Sequence, residues 1–583
     1  MLPTLYRPIS ALLLLLLASL TWPLTASAQP KRHPKLDSLL NGRIERKDDN
    51  PQRVIIRARD GKLDALVALL RRQKGIGVGR VHSTIGAVAA SLTIDDVRDL
   101  AELGSVFSIS ADAVVRADQT PTAYTLRATL GLPLQTRTGN RIGVALIDTG
   151  VEDGPEFGDR IVAFHDFTQD GLEKAPSDGH GHGTHVAGLI AADGTLQKQY
   201  RGVAPKARLI VLKVLDENGQ GFTSNVISAI EFATANKDRL GIDIINLSLG
   251  HPIFEPAATD PLVQAVEAAV RAGIHVVTSA GNYGLNPATS EPGYAGTVSP
   301  GNAPSAITVG ASMTIDTVAR HDDRVARYSS RGPSWYDATA KPDLVAPGHA
   351  LVSPAAQQSW LYQSHPELRV GDTHMQLSGT SMAAGVVSGT LALMLEAQRT
   401  AFPSSAPLTP NAAKAILQFT AVRLRDDQGA EYDLLTQGAG SVNPAGAIAL
   451  ASMVDTSSAL SSLWLTAPIT PTTTIEGATL SWAANIVWGN VLASGPVLEA
   501  NEPAWAQNIV WGNNIVWGNN IVWGNNIVWG NNIVWGNNIV WGNGLIATAD
   551  DTSVVWGLIT SAPQMTVRMG AGDGVESTQE WRR

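Results

Sequence analysis

Between residues 140 and 450, short apolar segments alternate with helical stretches, and this alternation restricts the fold more than any other feature of the chain. Segments 142–147, 209–214, 242–247, 275–278 and 307–309 are predicted strands. Strands separated by helices argue a parallel sheet with helices on both faces, an α/β architecture. At 583 residues the chain has room for further units, since domains run to roughly 100–200 residues each. Apolar residues make up 44%, charged residues only 16%, and there are 55 Gly and 32 Pro, so large cores joined by many tight turns are expected. The net charge of -9 supplies no general attraction for phosphate backbones. Nucleic acid is therefore not an expected partner. No cysteine is present, which excludes disulfides, thiolate metal sites and thiol nucleophiles together.

Residues 1–28 read as a secretory signal: Arg7, an apolar run over 9–20, and Ala26-Ser27-Ala28 as a small-residue cleavage site before Gln29. A retained anchor is the competing reading. No later segment is expected to span a membrane. A basic, polar linker is expected over 29–50, then a small α+β domain over 51–117 with strands at 53–57, 85–93 and 106–110. Its helices fall at 62–73 and after Thr93, where Thr93 and Asp96 form a capping-box pattern. This is a ferredoxin-like, split βαβ pattern. A linker covers 118–139, the α/β domain 140–450 and a second linker 451–507. Six tandem copies of Asn-Ile-Val-Trp-Gly-Asn fill 508–543, with an outlying copy at 485–490 and a tail over 544–583. From 451 to 543 there is no Lys or Arg. A six-residue period puts Ile and Trp of every copy on one side of an extended strand, which suggests a stacked β array. A flexible, adhesive spacer is the other reading.

Three glycine-flanked segments carry reactive side chains. Asp148 ends an apolar strand and precedes Thr149-Gly150. His182 sits in Asp178-Gly179-His180-Gly181-His182-Gly183-Thr184-His185. Ser381 sits in Ser378-Gly379-Thr380-Ser381-Met382-Ala383 at the start of a long apolar helix. Carboxylate, imidazole and hydroxyl are the orienting anion, general base and nucleophile of acyl transfer. Taken singly, the Asp is also a turn residue and the Ser region a helix cap. His180, His182 and His185 could be read as a zinc site, but no fourth ligand is evident.

Together these residues resemble the subtilisin-like serine protease family, the subtilases, over roughly 143–447. The resemblance rests on Asp148-Thr149-Gly150, His182-Gly183-Thr184-His185-Val186-Ala187-Gly188 and Gly379-Thr380-Ser381-Met382-Ala383. It extends to Ser248-Leu249-Gly250, Ser279-Ala280-Gly281-Asn282, and the segments 330–333 and 341–348. It implies a subtilisin-like fold with Asp148, His182 and Ser381 as the triad and Asn282 as an oxyanion-hole donor. Ser248, Leu249 and Gly250 would pair with an extended polypeptide substrate, and Ala280 and Gly281 would line a specificity pocket. Neither segment holds an acidic residue, so broad specificity with an apolar bias is expected. The small domain resembles the family's inhibitory propeptides, an intramolecular partner whose tail, about 111–122, would cross the cleft before self-cleavage. No cofactor is required for this chemistry. Calcium often stabilises the family, but no ligands can be assigned from the sequence. The family usually has proline at position 385, and Gly385 would hold Ser381 more loosely. The implied protein is a secreted zymogen at an extracellular, periplasmic or outer-surface site. The alternative is an adhesion or surface-assembly protein whose Trp-rich repeats contact a cell surface or polysaccharide.

Overall fold

A computed structural model describes residues 33–46, 51–73, 75–112, 114–116, 126–132, 137–286, 291–315, 317–475, 477–494, 497–508, 511, 522–523 and 534–535. The expected leader, the tail from 544 onward and most of the tandem repeats lie outside the described residues.

In the N-terminal unit, strands Gln52–Ala58, Gly77–His82, Ala87–Leu92 and Val106–Ala111 form one antiparallel sheet, ordered 77–82, 87–92, 52–58, 106–111. Helices Leu63–Arg72 and Ile94–Ala101 cover one face, packing Leu66, Leu70, Val97 and Leu100 against Val54 and Ile56. The Thr93 hydroxyl accepts the Asp96 N–H at 3.1 Å and the Asp96 carboxylate accepts the Thr93 N–H at 3.1 Å, so the capping box is real. Two features differ from the sequence reading. Strand Gly77–His82, with two glycines, shows no apolar run of its own and is fixed by its neighbour in the sheet. The expected linker over 29–50 contains helix Ser38–Arg46, seated by buried Leu36 and Leu40.

The opposite face of this small sheet rests on the α/β unit. Ile55 and Ala87 enter the same apolar cluster as Ile227 and Ile230 of helix Thr223–Ala235. Asp112 accepts hydrogen bonds from the Ser224 N–H and hydroxyl, both at 2.8 Å, and so caps that helix from outside its own unit. The helix has no capping side chain of its own.

The α/β unit is built on an eight-stranded sheet. Its main path runs Arg324–Val325, Ile307–Met313, His275–Ser279, Ile242–Leu247, Gly143–Asp148, Arg208–Lys213, Ile161–Asp166, and Leu344–Pro347 pairs with Ile307–Met313. All pairings are parallel except the short edge strand Arg324–Val325. Alternate residues serve opposite faces: Val144 and Leu146 enter one core cluster, Ala145 and Ile147 the other. Helices His182–Ala191 and Thr380–Ala401 pack on the first face, Thr223–Ala235 and Pro261–Arg271 on the second. The chain winds outward from Gly143–Asp148 in one direction and then, from Ile242–Leu247, in the other, so the crevice at the carboxyl ends of these strands is a topological switch point. Helix Thr380–Ala401 is long and apolar enough to cross a membrane, contrary to the sequence expectation, yet it is buried in the core among other elements.

The stretch 451–507 is not a linker. It forms hairpins Thr472–Ile475/Ala478–Ser481 and Asn485–Trp488/Val491–Ser494 and helix Pro503–Ala506. Trp464, Trp482, Trp488 and Trp505 enter the core cluster of the α/β unit. Among the described repeat residues, Val522–Trp523 pairs in parallel with Val534–Trp535, two copies further on.

Asp112→Ala is expected to lower the urea midpoint of the full chain by an amount equivalent to about 1 kcal/mol, as for other lost helix caps, with no change in m-value.

Candidate active site

The carboxyl edge of the sheet gathers the predicted residues. Asp148 is the last residue of its strand, Ser248 follows Leu247 at the end of the neighbouring strand, and Asn282 follows Ser279 on the next. Asp148 Oδ1 accepts the Thr149 N–H at 2.7 Å and faces His182 Nδ1 at 2.7 Å, with both side chains wholly buried. A carboxylate can only accept here, so the imidazole carries its proton on Nδ1 and keeps its lone pair on Nε2.

Ser381 and His182 stand near the starts of two helices that pack side by side. A Cβ built on Gly385 would lie 3.3 Å from Val186 Cγ1, and one on Gly389 would lie 3.5 Å from the Ile190 carbonyl. The helices therefore run parallel in matched turns, and one turn back from Gly385 and Val186 stand Ser381 and His182. Helix Thr380–Ala401 runs unbroken through Gly385, which stands where the family usually has proline, and Ser381 is buried with its neighbours on that helix. The Ser381 hydroxyl donates to the Ser248 carbonyl at 3.1 Å, a bond it must leave to reach the imidazole.

Asn282 is oriented from its oxygen end. Its Oδ1 accepts the Thr380 N–H at 3.0 Å and the Thr380 hydroxyl at 3.1 Å, and because the amide is planar this fixes the side of the group on which its NH2 donors lie. The loop is backed by Ser330, whose N–H donates to the Gly281 carbonyl at 2.9 Å and whose hydroxyl oxygen accepts the Tyr283 N–H at 3.0 Å. Gly281 N–H donates to Thr380 Oγ1 at 3.1 Å. Ser248, Leu249 and Ala280 are buried, and Gly250 leads into His251–Pro252, which pairs with Val298–Ser299.

Three contributors escaped the sequence reading. Asp178 accepts five hydrogen bonds at 2.7–3.2 Å, from the N–H groups of His180, Gly181 and Thr184 and the hydroxyls of Thr149 and Thr184, and so ties the His182 loop to the Asp148 turn. Burial pushes its carboxyl upward against those donors. Gly183 permits the same approach, since a Cβ there would fall 2.0 Å from the Gly150 carbonyl oxygen. Gln220–Phe222 forms an edge strand, and Val114–Arg116 of the N-terminal unit pairs with it antiparallel while lying beside His251–Pro252. The spacing of Asp178 before His182 was the one available signal.

The histidine cluster does not converge. His185 Nε2 lies 3.0 Å and 3.2 Å from the Leu351 and Met375 carbonyls and donates to them, and His180 stacks on Trp360 at 5.7 Å. Among the described residues no group of His, Asp and Glu is arranged to hold a metal, so no calcium ligands are assigned.

The subtilase family model matches residues 139–440. The chain belongs to the subtilase family. It is similar to serine protease AprX of Bacillus subtilis, 38% identical over 315 residues that cover 53% of this chain and 66% of AprX. It is also similar to subtilisin E of the same organism, 33% identical over 336 residues, covering 55% of this chain and 74% of subtilisin E. The shared part thus spans about two thirds to three quarters of these relatives. Among solved structures, fervidolysin from Fervidobacterium pennivorans, a keratinolytic enzyme related to subtilisin, superposes with a TM-score of 0.55 at 22% identity, covering 72% of this chain and 63% of that one. That likeness shows the subtilisin-like α/β fold.

Burial holds several imidazoles well below their usual range: His180 at about 4, His185 at about 3, His275 at about 4 and His374 at about 4. In the unfolded chain each titrates near 6.5. As pH falls from about 6.5 to about 4, the unfolded chain gains protons that the folded chain does not, so stability is lost over that window. Thermal unfolding at pH 7, 6, 5 and 4 is expected to show a progressive fall, flatter in His185→Gln by about 1.4 kcal/mol per pH unit, one proton's worth.

Proposed function

We propose that this subtilase is a serine endopeptidase that cleaves proteins through an acyl-enzyme on Ser381, exported and made as a self-processing zymogen. The observation that carries the reading is the buried 2.7 Å pair between His182 Nδ1 and Asp148 Oδ1, set in matched helical turns with Ser381. His182 Nε2 takes the Ser381 proton as Oγ attacks the scissile carbonyl carbon. Asp148 holds the tautomer and stabilises the imidazolium. Negative charge moves onto the carbonyl oxygen, where the Asn282 amide and the N-terminal end of helix Thr380–Ala401 meet it. As the intermediate collapses, the C–N bond breaks and His182 gives its proton to the leaving amine. Water then attacks the ester, passes a proton to His182 and releases the acid, and Ser381 recovers its proton.

The substrate reading is an extended polypeptide paired between Gln220–Phe222 and Ser248-Leu249-Gly250. Val114–Arg116 in that position supports the N-terminal unit as an internal inhibitor, and self-cleavage falls in the stretch after Arg116, which lies mostly outside the described residues. The absence of acidic side chains in 248–250 and 280–282 favours apolar residues before the cut bond. The leader at 1–28 supports export. No cofactor enters the chemistry. The adhesion alternative gains nothing from the described repeat residues, since Trp488 and Trp511 are buried against the α/β unit.

Casein hydrolysis and fluorophosphonate labelling are expected from the purified chain and to vanish in Ser381→Ala, which also accumulates as the unprocessed form. A wild-type chain that neither labels nor hydrolyses casein, whatever its processing state, would overturn the reading. Asn282→Ala is expected to lower kcat about 10²- to 10³-fold with little change in KM, measured on a chromogenic peptide with an apolar residue before the cut bond. A strict requirement for Arg or Lys there would overturn the specificity proposal.

A further inference from the structure

Asn508 and Trp511 of the first tandem repeat copy are held by the α/β unit through contacts specific to their side chains. Trp511, the fourth residue of that copy, is only 2% exposed. Its indole N–H donates to the Val487 carbonyl at 2.9 Å and its main-chain N–H donates to Ser305 Oγ at 3.0 Å. One face of the ring receives the Lys414 ammonium at 4.4 Å from the centroid, and Trp488 lies against it at 4.2 Å. Asn508, the first residue of the copy, donates from Nδ2 to the Val270 carbonyl at 2.7 Å and accepts the Asn411 N–H at 3.3 Å.

The seat is independently built. Lys414 is fully buried and its Nζ is fixed by the Pro304 and Ala306 carbonyls and by Asp343, each at 2.9 Å, so its position is already set for an aromatic face. The Val487 carbonyl is set by its own residue's N–H, which donates to Gln418 Oε1 at 2.6 Å. Val487 and Trp488 belong to the outlying copy at 485–490, so one copy forms part of the surface on which another lies.

An Asn and a Trp three residues apart are what this surface engages, and all six tandem copies present that pair. We infer that the surface formed by Val270, Ser305, Asn411, Lys414, Val487 and Trp488 is a receptor site for an Asn-Ile-Val-Trp-Gly-Asn peptide, served interchangeably by the tandem copies of the same chain. Moving from one copy to the next lengthens the intervening chain by six residues per step, and the entropy of loop closure grows only with the logarithm of loop length. Tethered copies also act at high effective concentration. The array is therefore a redundant latch: loss of one copy leaves the C-terminal extension fastened by another.

Full-length chains carrying Ser381→Ala test this without self-digestion. Trp511→Ala alone is expected to shift Tm by less than about 2 °C, because a neighbouring copy takes the seat. Replacing Trp511, Trp517, Trp523, Trp529, Trp535 and Trp541 together by Ala is expected to lower Tm by more than about 5 °C. An end-blocked Asn-Ile-Val-Trp-Gly-Asn peptide should then bind that chain saturably, read by anisotropy of an attached fluorophore, and restore its Tm. The same peptide with its tryptophan or leading asparagine changed to alanine should bind at least tenfold more weakly. The inference fails if the peptide does not bind, if the substituted peptides bind equally, or if Trp511→Ala alone reproduces the six-fold loss. Should the six-fold chain not fold, a folded Trp511→Ala chain with a Tm within about 2 °C of the parent supports the inference, and a Trp511→Ala loss of more than about 5 °C overturns it. A concentration-dependent dimer dissolved by the peptide would place the occupant on a second chain and overturn the intramolecular assignment.

Discussion

Two helices packed side by side set the chemistry of this protein. In the contact between His182–Ala191 and Thr380–Ala401, Gly385 faces Val186 and Leu189, and Gly389 leaves room for Val203, whose Cβ would lie 2.6 Å from a Cβ built there. Their matched turns carry the imidazole and the hydroxyl to the same level above the sheet, and Asp148 at the strand end fixes the imidazole from below. The arrangement depends on backbone placement more than on local acidity. Small residues in a packed interior transmit position rigidly, because there is no void for either helix to shift into.

Around that pair, side chains take up backbone donors in fixed roles. Asp178 accepts the N–H groups of the turn before His182 and of the first turn of its helix, and Thr380 does the reverse for Asn282, supplying donors to its oxygen. The same logic extends across units: helix Thr223–Ala235 starts without a cap of its own and receives Asp112 from the N-terminal sheet. A carboxylate so placed also meets the positive end of the helix dipole, which draws the two units together at a defined point.

Much of this was legible before any coordinates. The strands of the main sheet are continuous apolar runs because both faces are buried, and the reactive residues stand out because glycine clears the backbone around them. What stayed hidden depends on tertiary context. Gly77–His82 is a strand only because Ala87–Leu92 is there to pair with it. Asp178 resembles any turn aspartate until its five donors are counted. The stretch 451–507 reads as a linker, and nothing local in it shows that its tryptophans complete a core lying far back in the chain.

That last feature redraws where the folded unit stops. The sheet-and-helix framework ends near Ala451, yet Trp464, Trp482, Trp488, Trp505 and Trp511 roof part of its interior. A fragment cut at the end of the framework would expose an indole-shaped hollow and leave the Lys414 ammonium without its aromatic cover. The smallest piece that recombination could transplant whole therefore extends to the opening copy of the repeat, and the remaining copies are freight that can be gained or shed without reopening the hollow.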